Sequence, residues 1–248
     1  MSRLVSAFVA LAALALCGAA KAATIYNYNL NVADPAAGFG NVASFGTVTV
    51  TDNGIDLYVS VALANGYEFR KAPDSNHHAL TFKLDEDGDT ISGLKGYLSN
   101  NTLIHYFHQD VGSAFHQAPF GQPNAPWNYA VDCTAATSAT RYHPATPGCV
   151  SGWKPASNPT QMDFKLAGVS INDLVSVPYT GTHGAKHIFF ATDIVSNCGL
   201  TGNVGATWDG NPLTSVPEPA TWGLMIMGLG TIGAALRRRR SELVRAAA

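Results

Sequence analysis

Residues 46–66 read GTVTVTDNGIDLYVSVALANG, and this stretch decides the fold. Thr and Val alternate over Thr47–Thr51, and apolar residues occupy every second position over Leu57–Leu63. A period of two places the apolar side chains on one face of a β-strand. Asp52-Asn53-Gly54 separates the two runs, and Asn-Gly pairs favour tight hairpin turns. The stretch therefore predicts a β-hairpin with one buried face, which ends at the turn signal Asn65-Gly66.

The same signals recur along most of the middle of the chain. Further strands are predicted at Leu80–Leu84, Trp127–Val131, Met162–Leu166, Val175–Tyr179, His187–Val195 and Val204–Trp208. No segment shows the 3.6-residue apolar period of a soluble amphipathic helix. Short strands joined by turns bury their apolar faces well between two antiparallel sheets. We therefore expect an all-β ectodomain over residues 23–213, an antiparallel β-sandwich of the jelly-roll type.

The charge of the chain is distributed unevenly. The formal net charge is −2, yet Thr24–Ser215 holds 15 acidic and 8 basic residues, a net charge of −7. The other basic residues lie near the two termini. A surface of this sign does not follow a phosphate backbone, so nucleic acid is not an expected partner.

The N-terminal residues have the three parts of a secretory signal peptide. Met1-Ser2-Arg3 is short and basic, and Leu4–Cys17 is almost wholly apolar. Ala20-Lys21-Ala22 then places small residues at the −3 and −1 positions of a cleavage site. The apolar run is short for a membrane span, which needs about 20 residues. We therefore predict a signal peptide at residues 1–22, with signal peptidase as a processing partner.

The C-terminal region, residues 214–240, contains four features in a fixed order. Pro217-Glu218-Pro219 comes first, Trp222 follows, and the chain is uncharged as far as Leu236. A basic block made of Arg237, Arg238, Arg239 and Arg240 comes last. A helix over the uncharged stretch would measure roughly 22 Å, less than a ~30 Å hydrocarbon core. We predict a single transmembrane helix of marginal length, with the arginines and residues 241–248 in the cytoplasm.

This order of features resembles the PEP-CTERM sorting signal. The resemblance implies that exosortase, a membrane enzyme with a cysteine nucleophile, recognises and removes the tail. It also implies that the mature protein reaches the surface of a Gram-negative bacterium that makes exopolysaccharide. Pro217 and Pro219 hold Glu218 in an extended conformation that suits an active-site groove. The alternative is a plain tail anchor behind a Pro-rich linker.

Three cysteines remain after the predicted cleavage. An exported protein meets an oxidising compartment, which favours disulfide bonds. We predict a bond between Cys133 and Cys149, because closing a loop of about 16 residues stabilises the fold by roughly 3 kcal/mol in the chain-entropy model. A bond between Cys149 and Cys198 stays open as an alternative.

No residue pattern predicts a cofactor, a catalytic residue or a tightly bound metal. His183 and His187 lack the Glu of H-E-x-x-H and would lie about 13 Å apart on a strand. Asp85, Asp87 and Asp89 lie in a turn without the Gly and Glu of an EF-hand loop, which leaves weak calcium binding open.

Two functions are therefore expected for the ectodomain. The first is a non-enzymatic structural or glycan-associated protein of the cell surface or extracellular matrix, with exopolysaccharide as a partner. Residues 109–159 predict long loops, whose aromatic side chains could stack on sugars or equally pack in the core or within the loops: Phe115, Phe120, Trp127, Tyr129, Tyr142 and Trp153. The alternative is a secreted carbohydrate-active hydrolase, which needs two carboxylates about 5–10 Å apart in a groove. Its candidate carboxylates are Asp110, Asp132 and Asp163, and a flat aromatic face would instead favour binding.

Overall fold

The structure of the chain is a computed structural model. It describes residues 23–70, 78–86, 89–104, 107–120, 127–133, 158–181, 184–197, 199–210, 228–232 and 237, without the side chains of residues 111–114. All the described strands lie in one compact unit, Thr24–Thr214. The predicted signal peptide at residues 1–22 and the Pro217-Glu218-Pro219 motif lie outside the described residues.

The described residues of this unit form strands and two short 3-10 turns, which confirms the prediction of an all-β antiparallel fold. In chain order the strands are β1 Thr24–Ala33, β2 Gly46–Asp52, β3 Asp56–Leu63, β4 Tyr67–Phe69, β5 Leu80–Phe82, β6 Ile91–Tyr97, β7 Leu103–Ile104, β8 Phe107–Phe115, β9 Trp127–Cys133, β10 Gln161–Ala167, β11 Val177–Gly181, β12 Gly184–Ile188, β13 Phe190–Ser196 and β14 Thr201–Trp208. The 3-10 turns are Pro35–Ala37 and Ile171–Asp173.

The predicted hairpin is confirmed as β2 and β3. Its register runs from Gly46 opposite Leu63 to Asp52 opposite Leu57. A side-chain hydrogen bond stabilises the turn between them: Asp52 Oδ1 accepts from the Gly54 N–H at 2.6 Å. Alternate residues are fully buried, as the period of two requires; they are Val48, Val50, Val59 and Val61.

The prediction of two separate sheets is not confirmed. Within the described residues the strands form one twelve-stranded sheet in the order β7-β6-β10-β3-β2-β1-β14-β13-β5-β9-β8, with β4 paired to β13, and a separate β11–β12 hairpin. The sheet is continuous because β14 pairs with both β1 and β13. It curls over on itself, so that Phe82 of β5 stacks on Phe164 of β10 with ring centroids 5.7 Å apart. The two halves therefore enclose one main core, as in a sandwich, without a break in hydrogen bonding.

A second, smaller core lies on the other side of the β14–β8 half of the sheet. Its buried members are Val32, Phe120, Trp127, Val177, Ile188 and Ala191. The β11–β12 hairpin contributes Val177 and Ile188, so this hairpin covers part of the outer face of that half.

Of the two roles left open for the loop aromatics, the buried members of the set pack inside the protein and do not present a face to a sugar. Phe120, Trp127 and Tyr129 are at most 1% exposed. Phe115, on β8, packs partly buried against the smaller core. Tyr142 and Trp153 lie outside the described residues. The stretch 109–159 contains most of β8 and all of β9, so part of the predicted loop region is sheet.

Glycines explain why β6 carries no clear strand pattern. Its sequence, ISGLKGY, has glycine at two positions, and Gly93 has a φ of 63°. Gly96 lies directly under the ring of Phe107, where a Cβ would come within 2.5 Å of a ring carbon. Close approach of β8 to β6 thus requires glycine at a position where an apolar residue would have signalled a strand.

Within the described residues, no helix is long and apolar enough to cross a membrane. The described part of the tail is helical at residues 228–232. The predicted helix over Trp222–Leu236 extends beyond those residues on both sides and stays a prediction.

Candidate functional site

The outer surface of four neighbouring strands carries a regular array of polar side chains. On β2, β3, β10 and β6, alternate side chains point away from the core. We call this surface the polar face. It contains a cleft of about 490 Å³ whose lining includes Thr49, Thr51, Tyr58, Ser60, Ser92, Lys95, Tyr97, Asp163 and Lys165.

Hydrogen bonds fix several side chains of the polar face. Ser60 Oγ donates to Asp163 Oδ1 at 2.7 Å across β3 and β10. Gln161 Nε2 donates to both oxygens of the same carboxylate, at 3.1 and 3.3 Å. At the neighbouring strand β1, Thr49 Oγ1 donates to Asn27 Oδ1 at 3.1 Å. These polar groups are therefore held in place before any ligand arrives, which lowers the entropic cost of binding.

The charges of the polar face balance one another. Lys165 Nζ lies 2.7 Å from Asp56 Oδ2 and 5.7 Å from the centroid of the Tyr58 ring. The hydrogen bond from Lys165 lowers the pKa of Asp56 and raises that of Lys165. Lys95 stands directly opposite Asp163 in the strand register. An aromatic surface with paired charges and many hydroxyl groups suits a neutral, hydroxyl-rich ligand.

The structure places two of the three candidate carboxylates on neighbouring strands and the third apart from them: Asp110 stands opposite Ala130, diagonal to Asp132. Asp163 lies on β10, in the half of the sheet that carries the polar face. Asp110 and Asp132 lie on the paired strands β8 and β9 of the other half, and Asp132 Oδ1 is 2.7 Å from His78 Nδ1. No group of three or more His, Cys, Asp or Glu in the described part of the chain is placed to hold a metal ion. Asp87 and His183 lie outside that part.

His78 belongs to a buried polar cluster that the sequence did not signal. Gln117 accepts a hydrogen bond from the His78 N–H at 3.1 Å and donates to its C=O at 3.0 Å. Gln117 also donates to Asn203 Oδ1 at 2.7 Å. The His78 side chain is 3% exposed, and its Nε2 has no hydrogen-bond partner among the described residues. His78 thus links to β9 through Asp132 and to β14 through Gln117 and Asn203.

A second cleft lies where β3 leads into β4. Its volume is about 460 Å³, and its polar lining includes Asn65, Tyr67, Glu68, Ser99, Thr160 and Asn197. We call it the Glu68 cleft. None of its lining residues carries a positive charge. No sequence motif marks it, because its walls come from four separate parts of the chain.

Glu68 is the one acidic group in the lining of this cleft. It stands on β4 opposite Val195 of β13. Its Oε2 is buried and has no hydrogen-bond partner within the described part of the chain. Burial raises the pKa of Glu68 to about 7, although a hydrogen bond from the backbone N–H of Asn158 acts in the opposite direction.

The predicted disulfide rests on residues that the structure describes only in part. Cys133 ends β9 and is 2% exposed, whereas Cys149 and Cys198 lie outside the described residues. The pairing stays a prediction. Non-reducing peptide mapping of the mature protein is expected to recover a peptide that links Cys133 to Cys149. A linked peptide of Cys149 and Cys198 would contradict it.

Comparison with known proteins identifies the C-terminal tail. The family model of the PEP-CTERM protein-sorting motif matches residues 215–240, which include Pro217-Glu218-Pro219, Trp222 and the four arginines. No curated protein and no solved structure matches the chain. PEP-CTERM motifs are recognised by exosortase, and they indicate an exported protein with a membrane-anchored precursor. We therefore identify the chain as an exported protein that carries a PEP-CTERM protein-sorting motif at residues 215–240.

Proposed function

We propose that the mature protein is a non-enzymatic, glycan-associated protein of the cell surface or extracellular matrix. Signal peptidase removes residues 1–22, and exosortase processes the precursor at Pro217-Glu218-Pro219. The ectodomain then contacts neutral segments of the exopolysaccharide through its polar face. The observation that carries this proposal is the cleft between Tyr58 and Tyr97, with its fixed hydroxyl and carboxylate groups.

The composition of the polar face favours binding over hydrolysis. Tyr58 is 45% exposed, so its ring is available to a sugar. Sugar hydroxyls both donate and accept hydrogen bonds, and Ser60, Thr49 and Asp163 offer both kinds of partner. The carboxylate of Asp163 already accepts hydrogen bonds from two neutral side chains. It has no second carboxylate beside it in the cleft lining, which a glycosidase would require.

Affinity electrophoresis tests the polar face. We expect the mature protein to be retarded in a gel that contains the producer's own exopolysaccharide. Replacing both Tyr58 and Tyr97 by alanine should weaken binding about tenfold, since each ring contributes on the order of 0.5–1.5 kcal/mol beyond its buried area.

A matched control variant is Trp208→Ala. Trp208 is exposed to nearly the same extent, 44%, and it does not line the cleft. Its replacement should leave retardation unchanged. Equal retardation of the wild type and the double variant would contradict the assignment to this face. Release of new reducing ends from the polysaccharide over time would instead favour the hydrolase.

A further inference from the structure

We infer that the polar face and the adjoining strand β1 bind an extended, linear glycan that lies across the strands and contacts one row of side chains over about four sugar rings. The inference rests on the proposed function and adds the shape, length and direction of the ligand. We call this row the transverse row, and its members are Asn27, Thr49, Ser60, Asp163 and Lys95.

The strand register aligns the transverse row. Asn27 of β1 stands opposite Thr49 of β2, which stands opposite Ser60 of β3. Ser60 stands opposite Asp163 of β10, and Asp163 stands opposite Lys95 of β6. Residues that face each other in a sheet point to the same side, and all five side chains are half-buried or exposed. Four of the five also line the cleft of the polar face, so a ligand in the cleft reaches them.

The two neighbouring rows are interrupted by apolar side chains. On one side of the transverse row, Ala62 stands between Thr47 and Gln161. On the other side, Ile25 stands opposite Thr51 at the β1 end. The transverse row is polar along its whole length, so it offers a partner to every ring of a sugar chain that follows it.

Hydrogen bonds within the row arrange its donors and acceptors. Thr49 Oγ1 donates to Asn27 Oδ1 at 3.1 Å. Ser60 Oγ donates to Asp163 Oδ1 at 2.7 Å. Each hydroxyl proton is thus used inside the row, and the two hydroxyl oxygens can accept hydrogen bonds from sugar hydroxyls. The Asn27 amide and the Lys95 ammonium add donors at the two ends of the row.

The length of the row determines the length of the ligand. Neighbouring strands lie about 4.8 Å apart, so a row across five strands spans roughly 19 Å. Each ring of an extended sugar chain advances by about the strand spacing, which gives roughly four rings along the row.

Two tyrosines flank the row. Strands β3 and β6 run in the same direction, because both are antiparallel to β10. Tyr58 precedes Ser60 on β3, whereas Tyr97 follows Lys95 on β6, in both cases at the next outward position. The two rings therefore lie on opposite sides of the transverse row, where they can contact the faces of a sugar chain between them.

A glycan that ran along β10 instead would meet polar groups that are already engaged. Gln161 Nε2 donates to Asp163 at 3.1 Å. Lys165 Nζ is paired with Asp56 at 2.7 Å. A sugar in that direction would compete with both contacts, so the arrangement of hydrogen bonds favours a chain across the strands.

Isothermal titration calorimetry of the mature protein tests the inference. The probes are linear oligosaccharides that partial acid hydrolysis releases from the producer's exopolysaccharide, from disaccharide to hexasaccharide. We expect the affinity to rise at least about tenfold from disaccharide to tetrasaccharide, since each added ring gains a partner on the row. From tetrasaccharide to hexasaccharide it should change less than about twofold, because the row is then filled.

Replacement of Asn27 by alanine shortens the row at its β1 end. Asn27→Ala should weaken tetrasaccharide binding about fivefold and leave disaccharide binding unchanged, because a disaccharide takes the part of the row between Tyr58 and Tyr97. Asn31→Ala is the matched control, since Asn31 lies on the same strand outside the row and also accepts a hydroxyl hydrogen bond, from Thr207 at 3.0 Å. The control should bind both probes as the wild type does. Each variant loses one such bond, so the two should melt at similar temperatures.

Three outcomes would overturn the inference: equal affinity for disaccharide and tetrasaccharide, a rise that continues undiminished to the hexasaccharide, or equal losses in Asn27→Ala and Asn31→Ala. The proposed function survives each of them if the polysaccharide still retards the wild type more than the Tyr58 and Tyr97 double variant. Absence of both retardation and oligosaccharide binding would overturn the proposed function as well.

Discussion

Replacement of Pro217, Glu218 and Pro219 by alanine is expected to leave the protein at full length in the inner-membrane fraction. The family match includes this tripeptide, and exosortase recognises motifs of this kind. Proline has a fixed φ and no N–H group and so favours an extended peptide, whereas alanine would allow the predicted helix to extend through this position. The triple replacement should therefore block processing while the signal peptide still works and the ectodomain still folds.

Subcellular fractionation and intact-mass analysis measure this result. Alanine replacement of Asn211, Pro212 and Leu213 is a matched control, since it changes three residues, one of them proline, upstream of the matched region. The control protein should be processed as the wild type is. If wild-type material at the cell surface still carries Trp222–Arg240, the tail is a plain anchor and the sorting interpretation is wrong.

The parts of this protein that sequence predicted well are those encoded by neighbouring residues. The β2–β3 hairpin follows from alternation and from the turn at Asp52-Asn53-Gly54, which lie within one short stretch. The sorting motif is also linear, so its order of features can be read without a structure. In both cases the interactions that matter join residues close together in the chain.

The parts that sequence did not predict depend on contacts between distant segments. One sheet replaces two because β14 pairs with β1, and the two strands lie at opposite ends of the ectodomain sequence. The sequence left open whether Trp127 stacks on sugars or packs inside the protein, and it is buried in the smaller core with Val177 and Ile188 of the β11–β12 hairpin. His187–Val195 was predicted as one strand, but it joins β12 to β13 with a break at Phe189.

The polar face and the Glu68 cleft also differ in how far the sequence could predict them. The threonines and Tyr58 of the polar face follow directly from the alternation of β2 and β3, although their use by a ligand does not. No sequence pattern marks the Glu68 cleft. Glu68 lies in a strand of three residues, and other lining residues come from separate parts of the chain: Ser99, Thr160 and Asn197. A cleft assembled in this way becomes visible only when the strands are placed.

Replacement of Arg70 by methionine is expected to destabilise the ectodomain by about 3–5 kcal/mol, the usual cost of removing one partner from a buried ion pair. Arg70 Nη1 lies 2.9 Å from Asp193 Oδ2, and the Asp193 side chain is fully buried. Methionine fills much of the same volume, so packing changes little. The loss arises because the Asp193 carboxylate then stays buried without its cation.

Urea denaturation of wild type and variant measures the difference, and Lys165→Met provides the matched control. Lys165 and Asp56 form an ion pair at a similar distance, 2.7 Å, but the Lys165 side chain is 34% exposed. Water replaces the lost partner there, so the midpoint should move much less than in Arg70→Met. A domain of this size has a free energy of unfolding on the order of 5–15 kcal/mol, so the Arg70 variant should lose a large share of it. Equal urea midpoints for Arg70→Met and Lys165→Met would show that burial of Asp193 does not determine how much the Arg70–Asp193 ion pair stabilises the ectodomain.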